Sequence, residues 1–226
     1  AYQEAGRLEE AIALFEQNLE DSTRILGPHH PSTLASRINF ANAYRDAGRL
    51  EEAIALYEST LKTQIDTLGA YHPGTLITRN NLANAYRDAG RLEEAIALFE
   101  QNLEDRTRIL GPHHPDTLTT RNNLAGAYQE AGRLEEAIAL FEQNLEDSTR
   151  ILGPHHPSTL ASRINFANAY RDAGRLEEAI ALYESTLKTQ IDTLGAYHPG
   201  TLITRNNLAN AYQDAGRLEE TIALFE

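Results

Sequence analysis

Apolar residues return every three to four positions along the chain and nowhere settle into a period of two. In "RLEEAIALFEQNLEDRTRILG", residues 91–111, Leu92, Ala95, Ile96, Phe99, Leu103 and Ile109 share one face at helical spacing. Glu93 and Glu94 stand in the first turn, where the helix dipole favours negative charge, and Gly111 ends the helix. The preceding "HPGTLITRNNLANAYRDAG" predicts a helix over about 74–89, opened by Pro73 and closed by Gly90 in a left-handed cap. The first helix of such a pair is termed helix A and the second helix B. All eight prolines lie in the B-to-A connections and valine is absent, which argues against strands.

The pair repeats. "AGRLEE" occurs six times, with its glycine at Gly6, Gly48, Gly90, Gly132, Gly174 and Gly216, always 42 residues apart. Residues 1–100 and 127–226 are identical except at Arg87/Gln213 and Ala95/Thr221, so three units form a 126-residue super-repeat, 1–126 and 127–226. A fixed period of this size is the signature of a solenoid, in which each helical hairpin buries its apolar face only against its neighbours. The expectation is one all-α array over 1–226, with eleven helical segments counting partial ones at the ends. The chain opens without Met at "AYQEAG", inside what reads as a helix A, and stops within a helix B at Glu226, as a piece of a longer array would. Leu8, Ile12 and Phe15 at one end, and Leu208, Tyr212 and Ile222 at the other, are then expected to be partly bare. Being two sides of one repeating interface, they predict head-to-tail self-association.

The order "NLANAY…AGRLEEAIALFEQNL" resembles the tetratricopeptide repeat, with Leu82, Ala83 and Tyr86 at the packing positions of helix A and Ala95 and Phe99 at those of helix B. The 42-residue length and the "LGPHHPDT" connection resemble the long-helix variety of kinesin light chains. Similar arrays occur in bacterial regulatory proteins that carry a nucleotide-binding switch domain. The resemblance covers the whole chain and implies a right-handed α-solenoid, a superhelix of antiparallel helix pairs whose helices A line a concave groove. Three positions depart from the family pattern. Arg91 stands where Asp is frequent, Asn102 (Thr60 in another copy) where Ala is frequent, and Arg79 where an aromatic is frequent.

Asparagine is a poor helix-interior residue, yet "NNLANAY", residues 80–86, holds three. With Leu82, Ala83 and Tyr86 turned inward, Asn81, Asn84 and Asp88 form an i, i+3, i+7 row, with Asn80 and Arg87 beside it. In the family that face lines the groove, so stacked repeats would align Asn39, Asn81, Asn123, Asn165 and Asn207 into a ladder. Asn42, Asn84, Asn168 and Asn210 follow one turn on. A primary amide both donates and accepts, which suits the backbone of an extended peptide. The alternative is that these amides bond neighbouring helices or face water. The residue before each ladder asparagine reads Ile38, Asn80, Asn122, Ile164 and Asn206, with Ile77 and Ile203 one turn upstream in the repeats after the isoleucines. These isoleucines either form two shallow pockets for apolar anchors or extend the inter-helix packing. Arg45, Arg87 and Arg171 could meet a carboxylate, but each precedes an aspartate, Asp46, Asp88 or Asp172, that can neutralise it.

Composition narrows the function. A net charge of -13 argues against a nucleic-acid partner, which needs a basic stripe. There is no cysteine, so thiolate metal sites and thiol nucleophiles are excluded. Apolar runs such as "AIALF" are too short to span a bilayer, and the expected location is cytoplasmic. The histidines of "GPHHP" have the density of metal ligands. Adjacent residues in an extended segment point apart, however, and zinc needs donors near one centre. They are expected to form a turn in which the histidine before proline is held extended. Neither a catalytic constellation nor a cofactor site is present in the sequence. The expected function is non-enzymatic: a scaffold that binds an extended peptide or protein segment. The alternative is an architectural rod that stacks end to end.

Overall fold

A computed structural model describes residues 8–224. The helix A remnant expected at "AYQEAG", with Gly6, and the chain end at Glu226 lie outside the described residues. The chain divides into two compact units, Ala1–Gly111 and Pro112–Glu226. The first holds α1 (Leu8–Leu26), α2 (Pro31–Asp46), α3 (Leu50–Leu68), α4 (Pro73–Asp88) and α5 (Leu92–Leu110). The second holds α6 (Pro115–Glu130), α7 (Leu134–Leu152), α8 (Pro157–Asp172), α9 (Leu176–Leu194), α10 (Pro199–Asp214) and α11 (Leu218–Ala223). Even-numbered helices are helices A and odd-numbered ones helices B. Among the described residues there is no strand, and within each unit every helix packs on the next as an antiparallel pair.

Local chemistry sets the helix ends. Helices A start at a proline whose missing N–H costs nothing in the first turn. The histidine before it is extended, at φ -65° and ψ 139° in His72, and its Nδ1 accepts the backbone N–H of Gly74 at 3.1 Å. His30, His114, His156 and His198 cap their helices in the same way. The expected extended turn is therefore a side-chain N-cap made by histidine, supplying a partner for one orphan donor. At the other end Gly90 has φ +73°, and the Arg91 N–H returns to the Tyr86 carbonyl at 2.8 Å, closing the expected left-handed cap. Gly111 ends helix B differently, at φ 92° and ψ 159°, a region open essentially to glycine alone.

Small residues let the helices approach. In the first unit Ala41 of α2, Ala53, Ile54, Tyr57 and Leu61 of α3, and Leu82 and Ala85 of α4 form one buried cluster. Its counterpart in the second unit joins Ala167, Ala179, Ile180, Tyr183, Leu187, Leu208, Ala211 and Tyr212. Leu82, Ala83, Ala95 and Phe99 are buried as the repeat pattern requires.

Several packing expectations need correction. Ile109, in the last turn of α5, is 44% exposed and does not join the buried face. Tyr86 is half-buried: its ring lies under the Arg91 guanidinium and its hydroxyl donates to Glu58 at 2.6 Å. Ile12 is buried against Phe40 and Ala43 of α2, and Leu208 and Tyr212 are buried in the α9–α10 cluster, where Leu224 also packs. These three are covered by their own hairpin neighbours, so they are not bare end surfaces. Of the six residues named for the ends, Ile222 is exposed, and Leu8 and Phe15 are half-buried.

Candidate binding surface

The asparagines of helices A stand at the margin of the packed face. Asn39 is exposed, and Asn81, Asn123, Asn165 and Asn207 are half-buried beside buried leucine, phenylalanine and alanine neighbours. In the second unit Asn165 of α8 donates its Nδ2 to Asn122 Oδ1 of α6 at 3.0 Å. An amide on one helix A thus bonds the next helix A at this place, as the alternative reading of these asparagines holds. The following row behaves otherwise. Asn42 accepts the hydroxyl of Tyr57 and Asn168 that of Tyr183, tying helix A to the helix B after it. Burial of these phenols pushes both up to about 12. Asn84 donates to the Asn80 carbonyl of its own helix at 2.9 Å, and Asn210 is exposed.

The isoleucine pairs split. Ile38 and Ile164 are half-buried against the α2–α4 and α8–α10 clusters, so they extend the packing. Ile77 and Ile203 remain 46% and 57% exposed and offer apolar surface. The arginines are paired between successive helices A: Arg45 Nε lies 3.7 Å from Asp88 Oδ2, and Arg171 Nε 3.9 Å from Asp214 Oδ2. Asp46 and Asp172 stand at 4.0 and 3.7 Å from the same two guanidinium groups. Arg87 is half-buried.

Arg79, read in the sequence only as a missing aromatic, is a buried ion-pair partner. Its Nη1 lies 2.6 Å from Asp105 Oδ2 on α5. Arg121 repeats the contact with Asp147 at 2.7 Å, and in both the aspartate also takes an arginine one turn on, Arg108 at 2.9 Å or Arg150 at 2.7 Å. Tyr71 stacks under Arg108, and the ring of His113 meets Arg150 at 2.8 Å, so each connection is latched to helix B. Burial works against the charge of Asp147, but the hydrogen bonds from Arg121 and Arg150 outweigh it and hold the carboxyl below its usual range. The signal was present as an Arg and an Asp 26 residues apart; Arg37 and Arg163 have Thr63 and Thr189 at that spacing.

Between α6, α7 and α8 lies a cavity of about 260 Å³, lined in part by Asn122, Asn144, Ser148, Ser162 and Asn165. The buried Asn144 Oδ1 has no hydrogen-bond partner there. Among the described residues no cluster of three or more metal-ligating side chains occurs, and no helix is long and apolar enough to cross a membrane.

Compared with known families, the chain matches the tetratricopeptide repeat over residues 1–66, 41–104, 74–146, 116–192 and 165–226. No curated protein matches it. Among solved structures, it is similar to the nearly identical TPR-like repeats of a candidate kinesin light chain from Podosopora anserina. The identity is 37%, the TM-score 0.79, and 87% of this chain and 93% of that one are covered. BtubC (BKLC) from P. vanneervenii is 21% identical with a TM-score of 0.78, over 96% of this chain and 87% of that one. NprR, solved in complex with its cognate peptide NprX, is 19% identical with a TM-score of 0.64, over 94% of this chain and 60% of that one.

Proposed function

The chain belongs to the tetratricopeptide repeat family, and from that premise we propose that it is a non-enzymatic scaffold that holds an extended peptide segment along its helices A. The observation that supports this reading is the placement of Asn39, exposed, and of Asn81 and Asn207, half-buried, along helices A, whereas the bond from Asn165 to Asn122 ties two helices A to each other. A side-chain amide can satisfy either backbone group of a strand laid across it, so the row Asn39 and Asn81, and the row Asn123, Asn165 and Asn207, give a peptide affinity without reading its side chains. Asn80, Asn84 and Asn210 flank the rows, while Ile77 and Ile203 supply apolar contact at fixed places. Asn42 and Asn168 contribute by holding helices A in position. Arg45 and Arg171, already paired with aspartates, set the charge at the edge. The peptide-bound state of NprR, on a similar fold, supports the same use of helical repeats.

The test is a selection of random 12-residue peptides on the immobilised chain, followed by calorimetry of the binders. Replacing Asn123 and Asn207 together by alanine should weaken the selected peptides that bind the second unit while the helical spectrum stays unchanged. Undiminished affinity would move the site off helices A.

A further inference from the structure

We infer that the chain binds a second copy of itself head to tail: α1 of one copy seats on α10 of the other, in the place of α11, and its Asp21 pairs with Arg205. The inference is independent of the peptide-scaffold reading. The chain holds the template for this contact within itself. α10 repeats α4 without a change from Pro199 to Tyr212, and α1 repeats α5 except that Ser22 stands at the position of Arg106. Between α4 and α5 the contact is made: Arg79 Nη1 meets Asp105 Oδ2 at 2.6 Å, Arg108 takes the other oxygen at 2.9 Å, and Tyr71 stacks on Arg108. α7, whose sequence is that of α1, receives Arg121 of α6 on Asp147 in the same way.

In α10 and α1 the two halves of that contact stand unmatched. Arg205, at the position of Arg79, is half-buried and has no carboxylate beside it among the described residues. Asp21 Oδ1 holds Arg24 at 2.6 Å, as Asp105 holds Arg108. Its Oδ2, the atom that takes the helix A arginine in Asp105 and Asp147, has only Gln17 at 3.4 Å. Tyr197, at the position of Tyr71, is 88% exposed, and Leu202 is exposed where its counterpart Leu76 is buried. On α1, Leu14 is exposed, and Phe15 is half-buried where Phe99 is buried. Each half thus carries the charge and the apolar surface that complete the other.

Within one chain α11 holds the start of this place, and it is the weaker occupant. None of its six residues is buried. Thr221 stands where α5 has the fully buried Ala95, and threonine's extra atoms oppose the close approach that alanine permits. α1 brings alanine back as Ala11, and its Leu14 takes the position of Leu224, which packs on the α9–α10 cluster as Leu98 does on that of α3 and α4. Because the contact joins two different surfaces, it does not close on itself and adds copies in a row.

Sedimentation velocity of the full chain, from micromolar to millimolar concentration, should show dimers and longer species that grow with concentration. Arg205→Glu or Asp21→Arg alone sets like charges opposite each other and should weaken association at least about tenfold, with the helical spectrum unchanged. In a mixture of the two variants, Arg205 of the second still meets Asp21 of the first, so association should return. An unsubstituted chain that stays monomeric, single variants that associate like the unsubstituted chain, or a mixture that stays monomeric would overturn the inference.

Discussion

Arg121 on α6 and Asp147 on α7 meet at 2.7 Å with both side chains nearly out of solvent, and Arg79 and Asp105 repeat the contact at 2.6 Å in the first unit. A buried ion pair loses hydration on both sides, so its net worth is small while the cost of breaking it is large. Arg121→Ala should lower stability, but by less than the roughly 3–5 kcal/mol that a fully stranded buried carboxylate costs, because Arg150 still holds Asp147 at 2.7 Å. The double replacement Arg121→Met with Asp147→Leu should come within about 1 kcal/mol of the parent or exceed it, since it removes both charges and keeps the volume. Urea denaturation followed by circular dichroism decides between these outcomes.

Acid should act through the same aspartate. Asp147 is held below the ordinary carboxylate range in the folded chain, so its contribution is complete above the unfolded value near 3.9 and is lost as pH falls through the lower folded value. Urea midpoints measured between pH 7 and pH 2 should fall below about pH 4. Asp147→Asn should show a shallower fall over the same window, and an identical profile would assign the acid sensitivity to other groups.

The parts of this fold legible in the sequence are those decided by neighbouring residues. Pro73, Gly90 and the 42-residue spacing each act over one turn or one repeat, and the helices begin and end where they direct. The ion pairs were hidden because Arg79 and Asp105 are 26 residues apart and meet only when two helices pack. Ile109 has the period of a core residue, but it stands in the last turn of its helix and is left 44% exposed. The asparagine face was visible as a face. Its division was not, because Asn42 turns to Tyr57 whereas Asn84, opposite Phe99, turns to its own backbone. One hydroxyl on the partner helix decides which amide is tied across to helix B.

Histidine as the cap of every complete helix A gives a local prediction. His156 Nδ1 accepts the Ser158 N–H at 3.1 Å, and loss of a side-chain cap costs about 0.5–2 kcal/mol. His156→Ala should destabilise the chain by an amount in that range, and His156→Asn or His156→Asp should recover most of it. A loss that neither asparagine nor aspartate repairs would mean that the ring's packing, and not its nitrogen, supports the turn.

Tyr183 and Asn168 predict an alkaline response. Burial raises the Tyr183 phenol to about 12, as it does Tyr57, against about 10 in an unfolded chain. The stability this represents is complete below pH 10 and declines as pH rises toward 12. Phenolate absorbance should show a late-titrating set of tyrosines, reduced by one in Tyr183→Phe. That variant should fold, since Phe99 and Phe141 occupy the same repeat position, at a cost of about 1 kcal/mol for the lost hydrogen bond. Asn168→Ala should cost about 1–3 kcal/mol, because it leaves the hydroxyl without its acceptor, and adding Tyr183→Phe should restore part of the loss.

The amide rows predict the size and the salt dependence of peptide binding. Each neutral hydrogen bond contributes about 1 kcal/mol net, so removing the Asn123 and Asn207 amides of the second unit together should weaken a peptide selected on that unit by about 2 kcal/mol, roughly thirtyfold. Amides carry no charge, and Arg45 and Arg171 are already matched by Asp88 and Asp214. Affinity for an uncharged peptide should therefore stay within about twofold between 50 mM and 500 mM salt, because screening acts only on unmatched charge. Arg171→Ala frees Asp172 and Asp214 to act on a ligand, so it should weaken acidic peptides and strengthen basic ones while leaving uncharged ones unchanged. Calorimetry of one peptide in three charge variants against both proteins tests all three statements. A steep salt dependence for the uncharged peptide would show that charge, and not the asparagine amides, dominates the grip.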